Sequence, residues 1–456
     1  MNIIQEFDTI AAIATPVGTG GVGIIRISGA ESFEITEKFF AQKLIPGKIH
    51  HGWIQNNGKN IDEVIVLPFK NPNSYTGEDV VEIQCHGGVN VIRNILEAVL
   101  KNGARPAERG EFTKRAFLNQ KIDLSQAEAV CDLIHAKTQN FAIQSAKNLS
   151  GVLAEKIKEI KKDIFEILSK IIAGIDFPED VQEPEYEYLE KEFEKIISKI
   201  DKILDCAKSS NILRQGIKIA ILGKPNVGKS SLFNALLSLN RAIVTDIAGT
   251  TRDILTETLD FDGIPVTLID TAGIRNNLEI ERIEEIGIEF SKQAAKEADL
   301  ILFLYDVSTG MNEDDQIILD LIQDKNHIVI ANKADLGVNG DKCGGIPNVR
   351  LCDKSALNLS TVTKQGFEEL KQQIKEFVGE KSIEDTEFIT NNRQQDCLKK
   401  AKDCLKQALL AAQLKELQDL ISIDVKSSLL FLDEITGEVI TDDILNNIFE
   451  NFCIGK

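Results

Sequence analysis

Eight consecutive residues, Gly223-Lys224-Pro225-Asn226-Val227-Gly228-Lys229-Ser230, carry the types and spacing that hold a polyphosphate. They fit G-x-x-x-x-G-K-[ST], in which successive backbone N–H groups and a helix N-terminus converge on one anion. The flanks supply the required setting. The apolar run Ile217 to Leu222 predicts a strand, and Ser231 to Leu239 predicts a helix. Lys229 is placed to reach the β- and γ-phosphates and the Ser230 hydroxyl to bind Mg²⁺. Val227, Gly228 and Ser231 complete the expected cradle.

Further motifs follow in order. In Gly249-Thr250-Thr251-Arg252-Asp253, Thr251 is the residue expected to put a hydroxyl on Mg²⁺ and a backbone N–H near the γ-phosphate. The strand-like run Val266 to Ile269 delivers Asp270-Thr271-Ala272-Gly273 at its carboxyl end, the edge where doubly wound sheets bind ligands. Asp270 is suited to holding Mg²⁺ through water, and Gly273 to close approach by the γ-phosphate. A second buried strand, Ile328 to Ala331, ends in Asn332-Lys333-Ala334-Asp335. An Asp carboxylate accepts from guanine N1 and N2, a donor pair that adenine lacks. Ser355-Ala356-Leu357 would add a backbone contact to guanine O6. The nucleotide is therefore expected to be GTP.

The catalytic detail departs from the Ras pattern. Ile274 and Arg275 follow Gly273, so the water-positioning Gln is missing. Asn226 offers a side-chain oxygen for a monovalent cation beside the phosphates, and the carbonyls of Thr245-Asp246-Ile247-Ala248-Gly249-Thr250 could wrap it. Such a cation would replace an arginine finger. The competing reading makes Asn226 a structural hydrogen-bonding residue of the loop. For the attacking water, Glu284 is the first expectation and Glu281 the second, against a plain solvated helix face over Glu279 to Glu285.

The elements that must position these residues follow from length and periodicity. A chain of 456 residues allows about three domains, and 43% apolar with 27% charged residues is an ordinary globular composition. No apolar run reaches the ~20 residues of a membrane span. The N-terminus lacks the basic start of a signal peptide, so a cytoplasmic place is expected. Eight cysteines form no C-x-x-C pair, and the histidines show no metal spacing; His50-His51 reads as exposed loop. A net charge of −19 opposes unaided nucleic-acid binding; RNA would need a local basic patch or a basic partner.

Ile157, Ile160, Ile164, Ile167 and Ile171 form a helical apolar stripe, as do Leu189, Phe193, Ile196, Ile200 and Ile203. Asp176 to Asp180, with Pro178, breaks the chain between them. Cys397 to Leu414 and Leu417 to Glu434 read as helices on the far side of the nucleotide module, which spans about Leu213 to Val378. One bundle with the module inserted is the expectation. The first 120 residues read as α+β, with strands Thr9 to Ala14, Val22 to Ser28, Glu63 to Phe69 and Asp79 to Cys85, and a helix Val89 to Lys101. Gly18 to Gly23 precedes a strand and reads as a turn, not a dinucleotide fingerprint.

Taken together, the chain resembles, end to end, the family of tRNA-modification GTPases called MnmE or TrmE. Besides the GTPase motifs, the carriers are Asp8 to Pro16, Gly20 to Gly29, Gly110-Glu111-Phe112-Thr113, Arg115 to Asn119, Asp123 to Val130, and the tail Cys453-Ile454-Gly455-Lys456. The resemblance implies a multidomain fold. Residues 1–121 would be an α+β folate-binding and dimerisation domain, 122–212 and 379–456 the two parts of an all-α helical domain, and 213–378 an inserted Ras-like α/β P-loop domain. It implies a homodimer that works with the FAD-dependent MnmG (GidA) protein in a heterotetramer or larger assembly. Together they would attach a (carboxymethyl)aminomethyl-type group to C5 of the wobble uridine of certain tRNAs. 5-Formyltetrahydrofolate or a related folate would be held by Arg26, Glu82, Lys121 and Lys456. K⁺ near Asn226, Thr245, Ile247 and Thr250 would pair the GTPase domains, and hydrolysis would gate the modification. Cys453 reads equally as a nucleophile or one-carbon carrier and as a packed small residue. Arg109 stands where the family usually has Pro. The stretch from Gly273 to Ile286 is longer than in some members, which bears on Glu284. The alternative, a ribosome-assembly GTPase of the Era or Der type, would carry an RNA-binding domain after the GTPase and no such N-terminal domain or tail.

Overall fold

The computed structural model describes residues 8–56, 58–239, 241–242, 255–270, 293–336, 356–378 and 388–456, the side chains at 207–209, 239, 241–242, 255–256 and 270 excepted. Contacts divide the chain into two compact units. One comprises Met1–Ile134, Ala146–Asp201 and Asp396–Lys456; the other comprises His135–Ser145 and Lys202–Gln395.

The first unit opens with β1 (Ile10–Ile13), β2 (Gly20–Ser28), α1 (Ser32–Phe40), β3 (His50–Asn56), β4 (Lys59–Phe69), β5 (Val80–Gly87), α2 (Val89–Lys101) and β6 (Arg105–Pro106). Among the described residues these strands form one sheet in the order β3-β4-β5-β2-β1-β6. Period-2 alternation sends Ile54, Val64, Val66, Val81, Ile83, Ile25 and Ile27 to the face that α1 and α2 cover. The opposite face shows exposed Val22, Trp53, Ile65 and Phe69 to its surroundings. His50 and His51 begin β3 rather than lying in a loop. The strand pairs with β4 from His50↔Val66 to Asn56↔Lys59, and backbone pairing overrides a weak pattern in which only Ile54 is buried.

Helices α3 (Glu111–Leu118), α4 (Leu124–Ile134), α5 (Gln139–Leu149), α6 (Val152–Asp176), α7 (Tyr186–Asp205) and α8 (Ala207–Gln215) follow. The two expected stripes are buried along their whole length in α6 and α7. The nucleotide unit then supplies β7 (Ile217–Gly223), α9 (Lys229–Leu239), β8 (Arg241–Ala242), β9 (Leu255–Phe261), β10 (Ile264–Asp270), β11 (Leu300–Asp306), α10 (Glu313–Ile322), β12 (His327–Asn332), β13 (Leu357–Asn358) and α11 (Phe367–Val378). The chain closes with α12 (Asn392–Gln413), α13 (Gln418–Thr436) and α14 (Asp442–Phe449). α6 packs along α13, and Leu124, Ala127 and Val130 of α4 share a core with Leu445, Phe449 and Phe452. Helical segments from both sides of the nucleotide unit thus belong to one body, as the insertion reading requires.

In the second unit the described strands run β13-β12-β11-β7-β10-β9-β8. β13 to β10 are parallel, and β9 and β8 add antiparallel strands at one edge. Alternate residues of β7 feed opposite faces: Ile219 and Ile221 enter one core, Ala220 and Leu222 the other. Burial on both faces explains the near-continuous apolar runs that read as strands. Phe141 and Ile389 join the first of these cores, so short pieces from before and after the nucleotide module help to build it.

Candidate functional site

The phosphate loop leaves β7 and enters α9 through three left-handed residues: Gly223 (φ 146°), Asn226 (φ 66°) and Gly228 (φ 99°). Both glycines are forced by crowding as well as by φ. A Cβ at Gly223 would lie 2.3 Å from the Leu304 carbonyl oxygen, and one at Gly228 would lie 2.2 Å from Asn332 Nδ2. The buried Lys229 begins α9 and donates its ammonium to the carbonyls of Gly223 and Lys224, each at 2.7 Å. Ser230 and Ser231 are exposed on the first turn. Val227 is buried, and its carbonyl accepts from Asn332 Nδ2 at 2.8 Å. Asn226 is exposed, and its side chain makes no hydrogen bond among the described residues.

The guanine-side residues stand at the carboxyl ends of the neighbouring strands. Asn332 ends β12 at 1% exposure, and its Oδ1 has no hydrogen-bond partner among the described residues. Lys333 adopts φ 64° and donates to Asp306 Oδ2 at 2.6 Å. Burial works to raise the Asp306 carboxyl, but Lys333 and Ser308 outweigh it and hold the group below the usual range. Asp335, exposed in the turn Ala334–Leu336, accepts from Ser360 Oγ at 2.6 Å. Ala356 directly precedes β13. Asp270 ends β10 in register with Ile221 of β7, which sets its backbone beside the approach to the phosphate loop. The sequence-predicted residues from Asn226 to Ser231, with Asp270, Asn332, Lys333, Asp335 and Ala356, therefore share one sheet edge, the ligand edge of a doubly wound fold. Thr245, Asp246, Ile247, Ala248, Gly249, Thr250, Thr251, Thr271, Ala272, Gly273, Glu281, Glu284 and Ser355 lie outside the described residues.

A second cluster forms in the first unit. Arg26 of β2 and Glu82 of β5 are direct cross-strand partners, and their side chains pair at 2.8 Å. The guanidinium also donates to the Gly455 carbonyl at 3.2 Å and lies 4.9 Å from the Tyr75 ring centroid and 5.7 Å from that of Phe112. The tail is fixed by backbone: Phe112 N–H donates to the Lys456 carbonyl at 3.2 Å, and Arg109 bridges Ile454. Gly455 (φ 95°) has no room for a side chain, since a Cβ would sit 2.2 Å from the Ile13 carbonyl oxygen. Burial first, then Arg26, lowers the Lys456 ammonium from its ordinary value, partly opposed by Glu82 and Cys453. Cys453 is exposed. Lys121 Nζ donates to the Pro72 carbonyl at 3.0 Å. Tyr75 and Phe112 were not expected here. They come from a loop and a helix far apart in sequence, and only the fold brings their rings to Arg26. Among the described residues no group of three or more His, Cys, Asp or Glu side chains could hold a metal ion.

The family model described as "GTP-binding protein TrmE N-terminus" matches residues 9–121, and the "MnmE helical domain" model matches residues 124–453. Over 462 aligned positions the chain is 46% identical to the tRNA modification GTPase MnmE of Thermoanaerobacter pseudethanolicus, covering 99% of this chain and 100% of that one. The corresponding protein of Clostridioides difficile is 44% identical, covering 98% and 99%. The chain belongs to the MnmE family of tRNA modification GTPases. It is a GTP-hydrolysing enzyme of tRNA modification, and its phosphate loop and Asn332–Asp335 segment are where GTP-binding chemistry was read from sequence. A solved structure of Era from Aquifex aeolicus is similar over 41% of this chain and 66% of that one, at 26% identity and a TM-score of 0.27. Full-length family membership disfavours the Era or Der alternative. No helix among the described residues is long and apolar enough to cross a membrane.

Proposed function

We propose that this GTPase gates the attachment of a (carboxymethyl)aminomethyl-type group to C5 of the tRNA wobble uridine, as a homodimer working with an FAD-dependent MnmG-type partner. The carrying observation is the pairing, in one chain, of a GTP-type sheet edge with a separate Arg26–Glu82–Lys456 cluster walled by Tyr75 and Phe112. Each implied group has a fitting set of residues. Ser230, with Thr251 and Asp270, would hold Mg²⁺. Asn226 projects an unengaged carboxamide from a left-handed backbone position, which suits a K⁺ ligand better than a structural loop bond. Thr245, Ile247 and Thr250 would complete that shell. The K⁺ would supply fixed positive charge beside the phosphates, and Glu284 would orient water.

A folate suits the second cluster. The half-buried Tyr75 ring offers a face to a pterin, Glu82 can accept from pterin N–H groups, and Arg26, Lys121 and Lys456 offer cations to carboxylates. The uncovered sheet face with Val22, Trp53, Ile65 and Phe69 supports a homodimer through the N-terminal domain. The net charge of −19 supports tRNA binding that depends on a partner.

The test is nucleoside mass spectrometry of tRNA from cells lacking this chain, rescued with wild type or Asp270→Ala. Loss of C5-aminomethyl wobble uridines, restored by wild type alone, is the expected result. An unchanged nucleoside profile on deletion would reject the reading.

A further inference from the structure

Lys224, the second residue of the phosphate loop, is tied to a helix cap. Its Nζ donates to Asn312 Oδ1 at 2.6 Å and pairs with Asp315 Oδ2 at 2.7 Å. Asn312 is the N-cap of α10 and Asp315 its third residue. Asp315 N donates to Asn312 Oδ1 at 3.3 Å, and Asn312 N donates to Asp315 Oδ2 at 3.1 Å. The two bonds make a reciprocal capping box. Here the acid is wholly buried, and its Oδ1 has no hydrogen-bond partner among the described residues. Lys224 therefore supplies a cation to a carboxylate that water cannot reach. The main chain of the same residue works in the other direction, since the Lys224 carbonyl accepts from Lys229 Nζ at 2.7 Å.

We propose that Lys224 is a positioning residue for GTP turnover: its tether to the Asn312–Asp315 cap of α10 fixes the loop backbone that aims Lys229. Gly223 and Gly228 reach positive φ freely, but Asn226 (φ 66°) does so at a cost and persists there only under outside restraint. One restraint is already described, the Asn332 amide on Val227. Lys224 anchors the opposite end, next to Gly223. A cradle held in shape before its ligand arrives loses less freedom on binding. Losing the tether should therefore weaken GTP binding uniformly and appear in KM rather than kcat.

The competing explanation is purely structural: Lys224 only neutralises Asp315, and removing it strands a buried charge. A double substitution separates the two. Steady-state GTP hydrolysis and thermal unfolding are measured on the full chain as wild type, Lys224→Met, Lys224→Arg and Lys224→Met combined with Asp315→Asn. Lys224→Met is expected to raise KM about tenfold, with kcat changed less than about twofold, and to lower the unfolding midpoint. Lys224→Arg keeps the charge and should return KM most of the way to wild type. The double variant no longer buries an unpaired charge, so its midpoint should recover while its KM stays high. A KM unchanged by Lys224→Met overturns the proposal. So does a double variant whose KM recovers together with its stability, or a loss confined to kcat.

Discussion

Asn332 donates its side-chain amide to the Val227 carbonyl at 2.8 Å across 105 residues of chain. The strand end that would read guanine and the loop that would hold phosphate are thereby one mechanical piece. Gly228 sits against the same amide, with a Cβ position only 2.2 Å from Nδ2 and a φ of 99°. Gly228→Ala must displace Asn332 and strain its own backbone. We expect at least a tenfold loss of affinity for a fluorescent GTP analogue and a destabilisation of about 1–3 kcal/mol in urea unfolding. Wild-type affinity would show that the loop can relax without cost to binding.

Asn226 tests the cation reading. Hydrolysis should be much faster in K⁺ than in Na⁺ at equal ionic strength, and Asn226→Ala should abolish the difference while leaving nucleotide affinity within about threefold. Equal wild-type rates in both salts would sink the cation role.

Arg26 tests the second cluster. Arg26→Ala removes a guanidinium that touches Glu82, Gly455 and two aromatic rings. Calorimetric binding of 5-formyltetrahydrofolate should weaken at least tenfold, since a charged hydrogen bond is worth about 1.5–3 kcal/mol, and GTP affinity should hold. If the wild-type chain binds no folate, the assignment of that cluster fails.

Acid sensitivity should trace to Glu111. Its carboxylate accepts from Arg105 Nη2 at 2.6 Å and from Arg115 Nη2 at 2.9 Å. Burial pushes the group up, but Arg105, the Glu108 N–H and Arg115 more than offset this, so it stays below its ordinary value. The folded state therefore binds fewer protons than the unfolded one in acid. Its stabilisation is fully present above the unfolded carboxylate pKa of about 4.3 and fades as pH falls through the depressed folded value. Glu111→Gln should lower stability at pH 7 and flatten the acid limb of a stability–pH curve. An unchanged acid limb would assign acid unfolding to other carboxylates, such as Asp8, which is lowered in the same way.

Much of this was legible because some residue types have few other uses. The Gly223–Ser230 spacing fixed the cradle, and the isoleucines of α6 fixed a buried stripe because a 3.6-residue period has one face. Helix Val89–Lys101 matched its sequence reading at both ends. β3 was missed because only Ile54 is buried in it, and its strand state comes from pairing with β4. The α1 signal was present, with Ile35, Phe39 and Phe40 buried at helical spacing, but the segment is short. The Asn312–Asp315 cap had a sequence signature, N-x-x-D before an apolar run. Its link to Lys224 had none, because contact across 88 residues is a property of the fold. The rings of Tyr75 and Phe112 around Arg26 were hidden for the same reason.

The tail that reaches Arg26 carries a consequence for synthesis. Arg26 and Gly455 are 429 residues apart. At about 5–20 residues per second, translation separates them by about 20–90 s. The N-terminal sheet can pair its strands soon after emergence, yet Gly455 and Lys456 reach the Arg26 cluster only after the whole nucleotide unit has been made. A chain cut short anywhere in between would present an unfinished cluster, so tight ligand capture there would report that Gly455 and Lys456 had been made.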